Sequence, residues 1–326
     1  MKQLGLVGLG AGAAAALLFA SATSGSWLSI LLFYLAPLPI MIAGLGWSHW
    51  AAAVAAVSGA ILAPFFGALG MGDGPKLALF FIFLVSAGIP AWWLSYLALL
   101  ARPVAAGANG AASTLEWYPT GRLIVWAAGL AALAVIVGIL NLSLDADGFR
   151  AGLTTALTRM FPVNSDTPGG SNPDRLITFL VATIPPAAAV LATVTNTGNL
   201  WLAARVVNFS GLLKRPWPEL SAISFPKMLV AALAAAIILN FAGGLVGIAA
   251  GVLSSSLMMA YGILGLAVVH SITLGIGSRP FLLGGMYASI FVFGWPILVL
   301  CLLGIAEAAL ELRARASRRR AAPPRT

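Results

Sequence analysis

Apolar residues run along this chain in long stretches separated by short polar breaks. They neither alternate as in a half-buried strand nor stripe one face as in a soluble helix. A helix that crosses a bilayer needs about 20 such residues. The stretches are Leu4–Ser21, Ser29–Leu45, Ala51–Leu69, Leu77–Leu100, Leu123–Leu140, Leu176–Arg205, Met228–Ile248, Val252–Gly275 and Phe281–Leu303. They predict an all-α fold, a polytopic transmembrane helix bundle of about eight full crossings. One integral membrane domain covers residues 1–310, and a basic tail covers 311–326.

Composition makes a soluble alternative untenable. A soluble domain carries about 25% charged residues, whereas this chain has 8% charged and 60% hydrophobic residues, with a mean hydropathy of +1.00. That excludes a soluble enzyme, a secreted disulfide scaffold and a disordered adaptor. Cys301 is the sole cysteine, so no intrachain disulfide can form. The first stretch also fits a cleavable signal peptide, with Lys2 ahead of it and Ala20-Ser21-Ala22 behind. Another apolar run begins within a few residues, which favours a retained helix.

Lysine and arginine in short loops set the orientation. Lys2, then Arg102 with Arg122, then Arg205, Lys214, Arg215 and Lys227 fall on one side, expected to be the cytoplasmic side of a bacterial inner membrane. The segment bearing Asp145, Asp147, Asp166 and Asp174 lies opposite. Both termini are expected in the cytoplasm, yet three spans after Lys227 would put the tail outside. The expected repair is a re-entrant or broken hairpin at Asn240–Ser256, rich in glycine and serine. Gly148–Phe161 places Phe149, Leu153, Leu157 and Met160 at helical spacing and predicts a short interfacial helix. The long sixth stretch exceeds a bilayer core, so its Asn196–Arg205 end is expected to project into the cytoplasm. Trp217 is expected at headgroup level.

The net charge of +9 raises nucleic acid as a partner, but its densest cluster argues otherwise. Arg313, Arg315, Arg318, Arg319 and Arg320 have no interleaved aromatics for base stacking. The tail reads as an anchor on anionic headgroups of the bilayer, worth about 1 kcal/mol per basic residue.

Chemistry is sparse. There is no Walker A motif, HExxH, GxSxG or cysteine pair, so no cofactor, metal or enzymatic activity is expected. Gly8-Leu9-Gly10-Ala11-Gly12 follows no strand and is not a dinucleotide fingerprint. Gly8, Gly12, Ala16 and Ala20 instead form a small-residue stripe for helix docking, against another helix of this chain or a separate membrane subunit. Acidic residues are absent from the span centres, which argues against a proton carrier. Glu307 sits at the end of the last span, and Glu311 is placed to pair with Arg315.

Prolines interrupt several spans: Pro37 and Pro39, Pro64, Pro90, and Pro185-Pro186. Each removes an amide donor and frees a carbonyl, and broken helices near mid-membrane point to transporter sites. The candidate cavity therefore comprises Tyr34, Pro37, Pro39, Trp92, Trp93 and Tyr96, with His270 as its ionisable group and Asn240 and Tyr261 as neighbours. The competing readings are simple kinks and a hydrogen-bonded structural histidine.

Phe33–Trp47 (FYLAPLPIMIAGLGW), Arg215–Lys227 (RPWPELSAISFPK) and Gly265–His270 (GLAVVH) together resemble the YybS-like family of multi-pass bacterial membrane proteins. That family is distantly similar to the substrate-binding S-components of energy-coupling-factor (ECF) vitamin transporters. The resemblance implies a first helix that docks a membrane coupling subunit, with energy from separate ATPases. This chain departs from S-components in having more spans and an arginine-rich end. The function expected is binding of a small neutral or lipid-like molecule, as a transporter or a partner-energised subunit. The alternative is a non-transporting scaffold for an envelope assembly.

Overall fold

In a computed structural model, residues 2–71, 76–104, 114–160, 173–310 and 312–313 are described. They form an all-α fold whose helices are α1 (Lys2–Ala20), α2 (Trp27–Tyr34), α3 (Pro37–Gly46), α4 (His49–Met71), α5 (Lys76–Phe83), α6 (Ile89–Ala98), α7 (Thr120–Leu142), α8 (Ala146–Met160), α9 (Pro173–Phe209), α10 (Met228–Leu239), α11 (Gly244–Ile272), α12 (Arg279–Phe293) and α13 (Pro296–Leu310). Among the described residues, 7 helical segments are long and apolar enough to cross a membrane. Three more, Met228–Ala242, Arg279–Phe293 and Pro296–Leu310, are apolar but shorter. The chain is a multi-pass helical membrane protein. A two-stranded antiparallel ribbon, β1 (Ala101–Val104) with β2 (Thr114–Trp117), is an addition that the apolar pattern does not show. It carries an exposed Arg102–Glu116 pair at 2.6 Å.

The chain divides into two compact units. Unit 1 is Met1–Ala134 with Val194–Trp217. Its core gathers α1, α3, α4 and α6 around Ala16, Ile40, Met41, Phe83 and Leu94, all fully buried. Helices α1 and α4 run parallel in close contact. A Cβ on Gly8 would lie 2.9 Å from the Ala51 carbonyl, and one on Gly12 would lie 2.6 Å from that of Ala55. Between α5 and α6 the helix widens into one π turn, Leu84–Gly88.

Unit 2 is Val135–Thr193 with Pro218–Thr326. Its spine is a close crossing of α11 and α13 at glycines. Gly265 faces the Leu300 carbonyl, Gly304 faces the Tyr261 carbonyl, and Gly262 faces Cys301. The Cys301 thiol donates to the Met258 carbonyl at 3.0 Å. Thr193 and Ser256, both buried, share a 2.7 Å hydrogen bond that ties the unit 2 part of α9 to α11. Asp145 caps α8 by accepting the Asp147 and Gly148 amides at 3.1 and 3.0 Å.

Two expectations need correction. In the re-entrant or broken hairpin expected over Asn240–Ser256, the break is confined to a tight turn, where Gly243 and Gly244 take positive φ (72° and 59°), and α11 is helical from Gly244 onward. The stretch Phe281–Leu303 is two helices rather than one. Gly294 (φ 70°) ends α12, and Pro296 opens α13. The Asn196–Arg205 end of α9 packs into the protein. Asn196, Asn199, Ala203 and Val207 are buried in unit 1 along one helical stripe.

Candidate functional site

The residues singled out from the sequence fall in both units. Tyr34, Pro37, Pro39, Trp92, Trp93 and Tyr96 belong to unit 1, whereas Asn240, Tyr261 and His270 belong to unit 2.

In unit 1, Pro37 lacks an amide proton and begins α3, so the chain steps from α2 into α3 across Leu35-Ala36. The Leu38 amide turns to the Leu35 carbonyl at 2.9 Å, and the Tyr34 carbonyl finds a neighbouring helix. Asn199 Nδ2 donates to the Tyr34 carbonyl at 2.8 Å and to that of Thr195 at 2.9 Å. The broken helix is thus closed by α9 side-chain chemistry, a role the proline pattern alone does not reveal. Replacing Asn199 with leucine should leave the Tyr34 carbonyl orphaned and destabilise the protein by about 1–3 kcal/mol. Thermal melting in detergent checks this, and an unchanged midpoint would remove Asn199 as the cap.

Trp92, Trp93 and Tyr96 stack as a group on α6. Trp93 lies 5.6 Å from Tyr96 and 5.5 Å from Trp126, and His49 lies 5.3 Å from Tyr96. The rings pack against the unit 1 core. In the loop after α9, Arg215 donates to Thr120 Oγ1 at 2.9 Å, and burial lowers its pKa from the ordinary guanidinium value. Trp217 lies under the Arg205 guanidinium at 5.0 Å, a cation–π contact. The small-residue stripe is also accounted for here. Gly8 and Gly12 are occupied by α4 and Ala16 is fully buried, while Ala20 is half-buried. The partner of the two glycines is therefore a helix of the same chain.

In unit 2, Tyr261 is fully buried in α11, edge-on to Phe225 at 5.4 Å. His270 lies on the same helix, 2.9 Å from the Leu266 carbonyl through Nδ1 and 3.3 Å from the Tyr287 hydroxyl through Nε2. With Nδ1 donating to the carbonyl, Nε2 accepts from the phenol, the pattern of a hydrogen-bonded structural histidine. Asn240, at the opposite end of α11, is not its neighbour.

Asn240 instead lines a cavity of about 470 Å³, together with Phe149, Arg150 and Thr154 of α8, the Thr178–Pro186 face of α9, and the glycines at the start of α11. The sequence points to parts of it separately: the Pro185-Pro186 interruption, the amphipathic α8 and the glycine-rich turn. Their convergence depends on tertiary contacts. Asn240 covers the glycines of α11, its backbone carbonyl over Gly247 and its side-chain oxygen over Gly251. Pro185 and Pro186 sit within continuous α9 and shape the wall opposite.

Arg313 also differs from expectation. Rather than facing headgroups, it is nearly buried and pairs through Nε with Glu307 Oε1 at 2.7 Å. Its other nitrogens donate to the Leu220 carbonyl at 2.8 Å and to the Ile223 carbonyl. The reason is local: Glu307 is 8% exposed and requires a cation. The remaining tail residues Arg315, Arg318, Arg319 and Arg320, like Glu311 and Asp166, lie outside the described residues. Among the described residues, no cluster of histidine, cysteine or acidic side chains is arranged to hold a metal ion.

The site belongs to a class, a membrane-embedded helical protein with a mainly apolar cavity beside an amphipathic helix. Comparison with known proteins places it no further: no family model, curated protein or solved structure matches the chain.

Proposed function

We propose that this protein binds a small neutral or lipid-like molecule within the membrane, as a transporter or as the binding subunit of one. The observation that carries the reading is the cavity between α8, α9 and the start of α11. Its volume of about 470 Å³ falls in the range of small-molecule sites, about 300–1,000 Å³. Its lining is apolar and glycine-rich with a few polar groups, as such sites require. The role is binding rather than catalysis.

With no Walker A motif in the chain, any ATP-driven movement draws its energy from a partner, as the resemblance to ECF S-components also suggests. A coupling subunit would dock elsewhere than on Gly8 and Gly12, which α4 covers. The excess of arginine and lysine in the loops and tail supports a bacterial inner-membrane location with both termini in the cytoplasm.

The test is native mass spectrometry of protein extracted gently from its own membrane, with and without Ala182→Phe. Ala182 is exposed on the cavity wall, so the larger ring fills space without crowding the core. The wild type should carry a ligand of defined mass, and the variant should lose most of it while melting normally. Equal occupancy in both proteins, or none in either, would overturn the reading. A copurifying membrane subunit without ligand would favour the scaffold alternative.

A further inference from the structure

The cavity has two chemically different walls. One bears Arg150 and Thr154 from α8 and Thr178 from the early part of α9. The other is Val181, Ala182, Pro185, Pro186 and Ile248, beside Gly247 and Gly251, which Asn240 covers. A wholly neutral, wholly apolar ligand would leave the first wall unused.

We infer that the cavity seats a single-chain amphiphile with an anionic head, the head meeting Arg150 and the chain lying along the α9 prolines and Ile248. This rests on the binding role proposed above and assigns its ligand class. A guanidinium offers a planar fork of donors that matches phosphate or carboxylate oxygens. Arg150 is held by Asp147 at 3.0 Å, but both partners are at least half exposed, with side-chain accessibilities of 50% and 88%. Such a pair contributes little and exchanges readily for a ligand anion. The hydroxyls of Thr154 and Thr178 line the same region and can serve a head group.

The turn before α11 adds to this. Gly243 and Gly244 line the cavity, and no side chain caps the helix that begins there. Its positive dipole end therefore favours an anion in the cavity. Along α9, the lining passes from Thr178 to the paired prolines over about two turns. The polar and apolar walls are thus separated along the helix axis, as an amphiphile demands.

The test compares monooleoylglycerol with 1-oleoyl lysophosphatidic acid, which share a chain and differ by a phosphate. Each is titrated into delipidated full-length protein and read by native mass spectrometry. The phosphate-bearing molecule should bind about tenfold more tightly, the scale of one charge-assisted contact. Arg150→Gln should bring the two affinities together while leaving monooleoylglycerol binding in place. Ala182→Phe should weaken both. Equal wild-type affinities, or a preference that survives Arg150→Gln, would overturn the head-group assignment. If Ala182→Phe still weakened both in that case, the binding role itself would stand. If Ala182→Phe changed neither, both would fall. Inorganic phosphate is the final arm: displacement of the lysolipid by phosphate at comparable concentration would make the chain irrelevant and overturn the amphiphile.

Discussion

Gly304→Ala should break the α11–α13 crossing and lower the unfolding midpoint more than any surface substitution. The added methyl group would collide with the Tyr261 carbonyl, and neither backbone can retreat without parting the two helices. Overpacking of this kind costs about 1–3 kcal/mol, and collision with backbone rather than a flexible side chain puts it at the upper end. Gly265→Ala meets the Leu300 carbonyl from the other helix and should behave alike. The control is Gly284→Ala on α12, where nothing lies within 4 Å of the new Cβ. Alanine there should be neutral or slightly stabilising, since it is the better helix former by up to about 1 kcal/mol. SDS-induced unfolding in mixed micelles separates these outcomes. Equal midpoints for Gly304→Ala and Gly284→Ala would mean that the helices do not touch at glycine.

The second large effect is expected at the Glu307–Arg313 clasp. Arg313→Met would leave a carboxylate with 8% exposure without its cation. It would also leave the Leu220 and Ile223 carbonyls without a donor. Removing one member of a buried pair costs about 3–5 kcal/mol. Glu307→Leu in the same chain should recover much of that loss, because an apolar pair of similar size satisfies the pocket. The sign of the double mutant is the diagnostic. If Arg313→Met were silent, or the double variant less stable than the single, the clasp would not hold the end of α13 in solution.

How much of the fold is legible in the sequence depends on how far each signal reaches along the chain. Apolar runs of membrane length are local, and the spans through α9 match them closely. The turn at Gly243-Gly244 and the break at Gly294-Trp295-Pro296 are local too, but they hide inside apolar stretches where hydropathy alone sees continuity. Asn199 is different in kind. Its partner is the Tyr34 carbonyl, far off in the chain, and no spacing rule joins them. The same holds for Glu307 and Arg313, whose six-residue separation does not place them on one helical face. Arg313 therefore reads as one more arginine of the tail. The cavity lies between these cases. Pro185-Pro186, the α8 periodicity and the glycines before α11 are each visible in the sequence, but not their common wall. Candidate residues chosen for aromaticity, such as Trp92, Trp93 and Tyr96, fall in a packed cluster of the other unit instead.

The π turn at Leu84–Gly88 acts on angle. A straight α-helix advances 100° per residue, so once one end is aligned with its neighbours, the other end has no freedom left. On α5, Phe83 is fixed because its ring lies against Gly59 of α4. On α6, Trp92, Trp93 and Tyr96 are fixed by one another and by Trp126 and His49. The wider turn lets these two sets of rings be aimed separately within one helical span. It works as a gear tooth added to the helix, shifting the phase of α6 relative to α5 by about one residue's rotation while the axis runs on.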